Sequence, residues 1–194
     1  MDLHKIGFKI FAEEGSTVNL VEFIPVFHRW IQEKALDNLL VDVADYSHVH
    51  AGPGIVLVAH AGNYAIDETG NRRGFVYYSK HELNGNLLHR LTNVCRHALN
   101  ACKLLQAEQQ FKDRLNFPGS EFQLFTNDRL NAPNTDATWA KLEPEIQGFL
   151  DTLFAGTGFT LNRETDPRGR FQVNITVAEP VPVETLLQQL ATGN

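Results

Sequence analysis

Cysteine is scarce in this chain: Cys95 and Cys102 are the only two among 194 residues. They stand seven positions apart in a strongly helical segment, which separates them by roughly 10 Å along a helix axis. A disulfide requires Cα atoms within about 7 Å, so no crosslink between them is expected. Nor do they have the CxxC spacing of redox and zinc sites. The reading that follows is two small buried hydrophobes in a reducing compartment.

Long apolar stretches are missing too. No run approaches the ~20 residues that span a membrane. The opening M-D-L-H-K-I-G-F lacks the charged start and apolar run of a signal peptide. The expectation is a cytoplasmic protein without a membrane partner. Basic charge is in deficit, with 17 Lys and Arg against 23 Asp and Glu and a net charge of −6. That balance argues against nucleic acid, which favours basic surfaces. No G-x-S-x-G nucleophile elbow occurs, and the loop Ala51-Gly52-Pro53-Gly54 lacks the phosphate-cradling pattern and its helix.

What the chain does have is apolar mass: 43% hydrophobic residues, thirteen of them Phe, enough to fill a sizeable core. Ile6 to Ala12 is predicted as a first strand. Asn19 and Glu22 have the spacing of a helix cap with its reciprocal acid. Phe23, Phe27, Trp30, Ile31 and Ala35 then repeat at helical intervals, with His28 at the edge of that face. Val41 to Tyr46 and Ile55 to Ile66 read as strands, joined by a loop in which Pro53-Gly54 suits a type II turn. Asp67 to Gly74 reads as a hairpin connection and Phe75 to Ser79 as its returning strand. A long helix, capped by Asn84 or Asn86, runs to about Gln109. Its Leu87, Leu91, Val94, Ala98, Ala101 and Leu105 form a coiled-coil-like seam, off which His89 and His97 are expected to be solvated.

After a linker at 111–119 the pattern restarts. Glu121 to Phe125 is predicted as a strand and Trp139 to Phe154 as a helix with Pro144 near its start. Phe159 to Arg163 and Arg170 to Val177 form a hairpin, and Pro182 opens a last helix. The halves match element for element. F-K-I-F at Phe8 answers F-Q-L-F at Phe122. Glu68, Thr69, Arg72 and Phe75 are identical to Glu164, Thr165, Arg168 and Phe171. The fold expectation is therefore α+β: an internal duplication of a β-α-β-β-α unit, mainly antiparallel, with helices packed on one side. The first repeat covers 1–110 and the second 120–194, as one globular unit. The match slips by 23 residues between helix and hairpin, which places an extra segment at 41–62 in the first half only. A segment that one half alone carries points to recruited function, or to an added edge strand or oligomer contact.

That segment holds most of the candidate chemistry. His48 and His50 are alternate residues, so in a strand both rings leave one face about 6.6 Å apart. With His60 as a third nitrogen they would suit a divalent metal such as zinc, or iron if a carboxylate joined them. Hydrogen-bonded structural histidines are the alternative. Asp45, Tyr46, His48, His50, Gly52 and Gly54 are candidate ligand contacts. A second candidate is the pair of arginine-bearing turns, Arg72 with Arg73 and Arg168 with Arg170. Brought together by the repeat, their guanidinium forks would hold an anion, and apart they are solvated hairpin tips. Three functional expectations result. The first is a non-enzymatic small-ligand-binding or assembly module with its site at 42–60. The second is a metal-dependent enzyme using His48, His50 and His60. The third is a structural homo-oligomer held by the Leu87–Leu105 seam.

Overall fold

Alternation along the first strand decides the layout. In β1 (Ile6–Phe11) the side chains of Ile6, Phe8 and Ile10 leave one face and those of Lys9 and Phe11 the other. The computed structural model, which describes residues 3–49 and 52–192, builds the whole molecule around that distinction. The elements that follow are α1 (Phe23–Glu33), β2 (Leu40–Tyr46), β3 (Gly54–Ala59), β4 (Gly62–Asp67), β5 (Gly74–Ser79) and α2 (Leu87–Ala107). The second half supplies β6 (Glu121–Thr126), α3 (Asp136–Phe154), β7 (Phe159–Arg163), β8 (Gln172–Val177) and α4 (Val183–Thr192).

The protein is α+β. Its eight strands form one sheet in the order β2-β3-β4-β5-β1-β6-β8-β7, every neighbouring pair antiparallel. β1 and β6 lie side by side, fifth and sixth in that order. Outward from β1 come β5 and β4; outward from β6 come β8 and β7. The β2–β3 hairpin extends the first flank alone. One face carries the continuous core, in which Phe8, Ile10, Tyr64, Phe75, Tyr77 and Phe122 join the inward sides of the helices. The helices thus cover one face of the sheet. None of those described is long and apolar enough to cross a membrane.

Local chemistry explains most boundaries. Glu22 accepts from the Asn19 backbone N–H at 2.8 Å, and a single 3₁₀ turn, Leu20–Glu22, leads into α1. Asn86 caps α2 through the His89 N–H at 2.9 Å, and Thr135 caps α3 through that of Thr138 at 3.2 Å. Because of the Thr135 cap, α3 begins at Asp136, and Pro144 falls inside the helix rather than near its start. Pro144 and Ala140, whose carbonyl it deprives of a donor, are both exposed, so water can serve that carbonyl.

Four other expectations are corrected. The strand predicted over Ile55–Ile66 is two, folded at His60-Ala61. Gly62, the first residue of the second of these strands, lets it close onto β5, since a Cβ there would lie 2.5 Å from the Tyr78 carbonyl oxygen. The segment 111–119 is part of the core, with Phe111, Leu115 and Phe117 buried. The α2 seam is consumed within the chain, where α2 packs on β1, β5, α3 and α4, so it offers no surface to a second copy. His97 is not solvated: its ring stacks on Tyr77 at 4.6 Å and Nδ1 lies 3.0 Å from the Tyr64 hydroxyl. Burial depresses its pKa and lifts that of Tyr77 to about 12.

Candidate functional site

The helix-free face of the sheet has its own buried residues. Register places Val56 of β3, Ala65 of β4, Val76 of β5 and Lys9 of β1 in one row across the strands. Asn63, Tyr78, Gly7 and Phe125 form the next row. Val56, Ala65, Val76 and Phe125 are buried yet stand outside the core beneath the helices. A cavity of about 300 Å³ opens over them, lined by Pro53, Ala65, Asp67, Thr69, Val76, Tyr78, Phe125, Asn127 and Arg170. Such a volume lies at the lower end of the roughly 300–1,000 Å³ typical of small-ligand sites.

Two glycines let the charged groups approach this floor. An alanine at Gly7 would bring its Cβ within 2.1 Å of the Phe125 ring, so the missing side chain makes room for the tip of that ring over β1. Arg170, from the turn before β8, stacks over the Phe125 ring with its guanidinium carbon 3.5 Å from the ring centroid. At Gly74 a Cβ would lie 2.5 Å from Lys9 Cε, so the gap beside β5 takes the lysine stem. Lys9, only 2% exposed, donates from Nζ to Asp67 Oδ2 and to the Arg72 carbonyl, both at 2.9 Å. Burial lowers the Lys9 pKa, with Asp67 acting against that shift. Asp67 is held in turn by the Thr69 N–H at 2.7 Å and the Thr69 hydroxyl at 2.5 Å, both on Oδ1.

The four arginines of the two turns have different fates. Arg72 pairs with Glu121 at 2.7 Å, Arg73 with Glu68 at 2.5 Å, and Arg168, 89% exposed, with Asp166 at 3.0 Å. Arg170 has no carboxylate within ion-pairing distance among the described residues. Its Nε reaches Gln172 Oε1 at 3.3 Å and its Nη1 reaches Asn127 Oδ1 at 3.4 Å. Burial lowers its pKa, and Asp67 works in the opposite direction. Two larger depressions, of about 390 and 490 Å³, flank the Glu13–Ser16 turn. Their arginines, Arg72, Arg73 and Arg114, already hold acidic partners. Volume alone therefore does not select them.

The other sequence-predicted contacts are dispersed. Tyr46, Gly52 and Gly54 meet around a shallow pocket of about 210 Å³ with Leu20, Ser47, Val49 and Glu68. Glu68, the one charged group among its described lining residues, is engaged by Arg73. Asp45 turns back on itself: the Ser47 hydroxyl and N–H donate to it at 2.6 and 2.8 Å and hold its pKa below the usual carboxylate value. His50 lies outside the described residues. His48 is exposed in the loop joining β2 to β3, whereas His60 follows the far end of β3. Six residues of strand separate the two by roughly 17 Å, too far for both to reach an ion ~2 Å from each nitrogen. His60 instead faces His81, with ring centroids 5.3 Å apart. Among the described residues no group of three His, Cys, Asp or Glu side chains is placed to hold a metal.

Sequence reasoning named Arg170 but missed Lys9, Asp67, Tyr78, Phe125 and Asn127. One signal was present: a lysine inside the otherwise apolar strand I-G-F-K-I-F needs a partner somewhere. No protein-family model matches this chain, and no curated protein matches its sequence.

Proposed function

We propose that the chain is a non-enzymatic small-ligand-binding module, built on a duplicated β-α-β-β-α scaffold, with its site in the groove on the helix-free face. The strand order supports the duplication. β4-β5-β1 and β7-β8-β6 run outward-to-centre in the same sequence, and β1 meets β6 antiparallel with Phe8 opposite Leu124 and Ile10 opposite Phe122. β3 and all of β2 but its first residue, Leu40, then correspond to the extra segment, and Pro53 from their connecting loop contributes a wall of the groove. Superposing β1-α1-β4-β5-α2 on β6-α3-β7-β8-α4 tests this. All five elements should overlay under one rotation, and a helix crossing the sheet in the opposite sense would refute it.

The observation that carries the binding reading is Arg170, a half-buried cation with no carboxylate within ion-pairing distance among the described residues, which lines a concave apolar floor together with Tyr78 and Asn127. Such convergence of a few polar groups on an apolar pocket is the usual form of a small-molecule site. A fragment screen read by ¹H–¹⁵N spectra is the direct test. At least one fragment should shift the amides of Ala65, Val76, Tyr78 and Asn127 together. A library of mixed charge that leaves all four unmoved refutes the reading.

A further inference from the structure

The same groove specifies what kind of molecule it takes. Resting on the binding reading above, we infer that its ligand is a small monocarboxylate with an apolar body, its carboxylate on Arg170 and its body on Ala65 and Val76. Three independent features of the groove lead there.

The first is the balance of donors and acceptors. Arg170 presents five N–H donors; Nε and Nη1 make only the long contacts to Gln172 and Asn127, and Nη2 makes none among the described residues. The Tyr78 oxygen accepts from Asn63 Nδ2 at 2.9 Å, so its own hydrogen remains to be donated. Asp67 has both oxygens engaged, by Lys9 on one side and Thr69 on the other. The groove therefore offers donors, and the end of the ligand that meets them must accept. A guanidinium edge and a carboxylate match as two parallel hydrogen bonds.

The second is charge. Lys9 and Arg170 are positive and Asp67 negative, while Arg72 is cancelled by Glu121. The groove carries a net charge of about +1, which one carboxylate neutralises. A dianionic phosphate monoester would leave an excess negative charge facing Asp67, and like charges at close range repel. The third is shape. The floor is made of small side chains on a sheet, Ala65 and Val76, with Pro53 and the Phe125 ring beside it. About 300 Å³ matches a metabolite-sized acid, at the lower end of small-ligand sites.

Calorimetric titration with isovalerate, benzoate and phenylacetate, each paired with its neutral amide, and with phenyl phosphate, tests the assignment. At least one acid should bind roughly ten- to a hundredfold more tightly than its amide, the usual value of a charge-assisted hydrogen bond. Phenyl phosphate should bind more weakly than that acid. Arg170→Gln should erase the preference for acid over amide. Because Arg170 also covers Phe125, a second variant guards against misfolding. Asn127→Asp, at an exposed position, places a carboxylate beside the guanidinium and should abolish acid binding at an unchanged melting temperature. Three results overturn the inference: no acid preferred over its amide, phenyl phosphate preferred over every acid, or an acid that binds Asn127→Asp as tightly as wild type. If fragments still shift the groove amides, the binding reading survives that failure; if none does, both fall.

Discussion

Exchanging Asp67 for asparagine removes a negative charge from beside a lysine that has almost no contact with water. Lys9 Nζ sits 2.9 Å from Asp67 Oδ2, with side-chain exposures of 2% and 13%. The asparagine oxygen still accepts one hydrogen bond, so the loss is that of charge. Breaking a buried pair by removing one partner costs about 3–5 kcal/mol, and the retained acceptor places Asp67→Asn near the lower figure. For a chain of this size that lowers the melting temperature by roughly 6–12 °C. Lys9→Met should cost far less, about 1 kcal/mol or below, because its apolar stem is kept and Asp67 retains both Thr69 bonds. The pH dependence has a definite sign. Lys9 has a folded pKa below its ordinary 10.5, so its contribution to stability is fully present above pH 10.5 and is lost as pH falls through the folded value. Removing Asp67, the main influence opposing that drop, widens the window. The deficit of Asp67→Asn should accordingly be greatest at neutral pH and shrink towards alkaline pH. Thermal melts of wild type, both single variants and the double variant at pH 7 and 10 measure it. An Asp67→Asn protein within about 1 kcal/mol of wild type, or a Lys9→Met protein destabilised as much as Asp67→Asn, would refute the reasoning.

Other parts of the molecule give equally definite expectations. Gly7→Ala puts a Cβ 2.1 Å from the Phe125 ring, so the ring and Arg170 above it must move. Urea melts should show a loss of about 1–3 kcal/mol, and an unchanged midpoint would mean that the ring yields freely. Ala98→Leu enlarges a fully buried position of α2 and should cost a similar ~1–3 kcal/mol; a wild-type melting temperature would show that the helices leave room there. Cys95 and Cys102 are fully buried, and burial raises both thiol pKa values, so a thiol reagent should label neither until the protein unfolds. His97 has a folded pKa below 6.5, so its contribution is complete above pH 6.5 and is lost as pH falls through the folded value. An NMR titration that finds its ring protonating at or above pH 6.5 would contradict the stacked, desolvated position on Tyr77.

Much of the fold was legible because it is written locally. Asn19 with Glu22, Asn86, and the apolar faces of α1 and α2 each rest on residues within a few positions of one another. The hairpin at His60-Ala61 was hidden because Ile55–Ala59 is apolar on both faces, which leaves no alternation whose interruption would mark a turn. The stretch 111–119 resembled a linker through its Pro-Gly, while its Phe111 and Phe117 were already reporting burial. His97 read as solvated because helical spacing describes one seam, whereas α2 also contacts Tyr64 and Tyr77 of the sheet. The site was the least legible part. Its members come from positions 9, 67, 78, 125 and 170, and only the cross-strand register brings them together. The histidine cluster made the opposite error: closeness in sequence suggested closeness in space, and a strand running between His48 and His60 carried them apart.

The most direct test of the central claim is a crystal structure of the protein with the most tightly binding of the three acids. The carboxylate should lie against the Arg170 guanidinium at about 2.7–2.9 Å, with the apolar body over Ala65 and Val76. An acid bound away from Arg170, or an Arg170 side chain turned out of the groove onto a protein carboxylate, would contradict it.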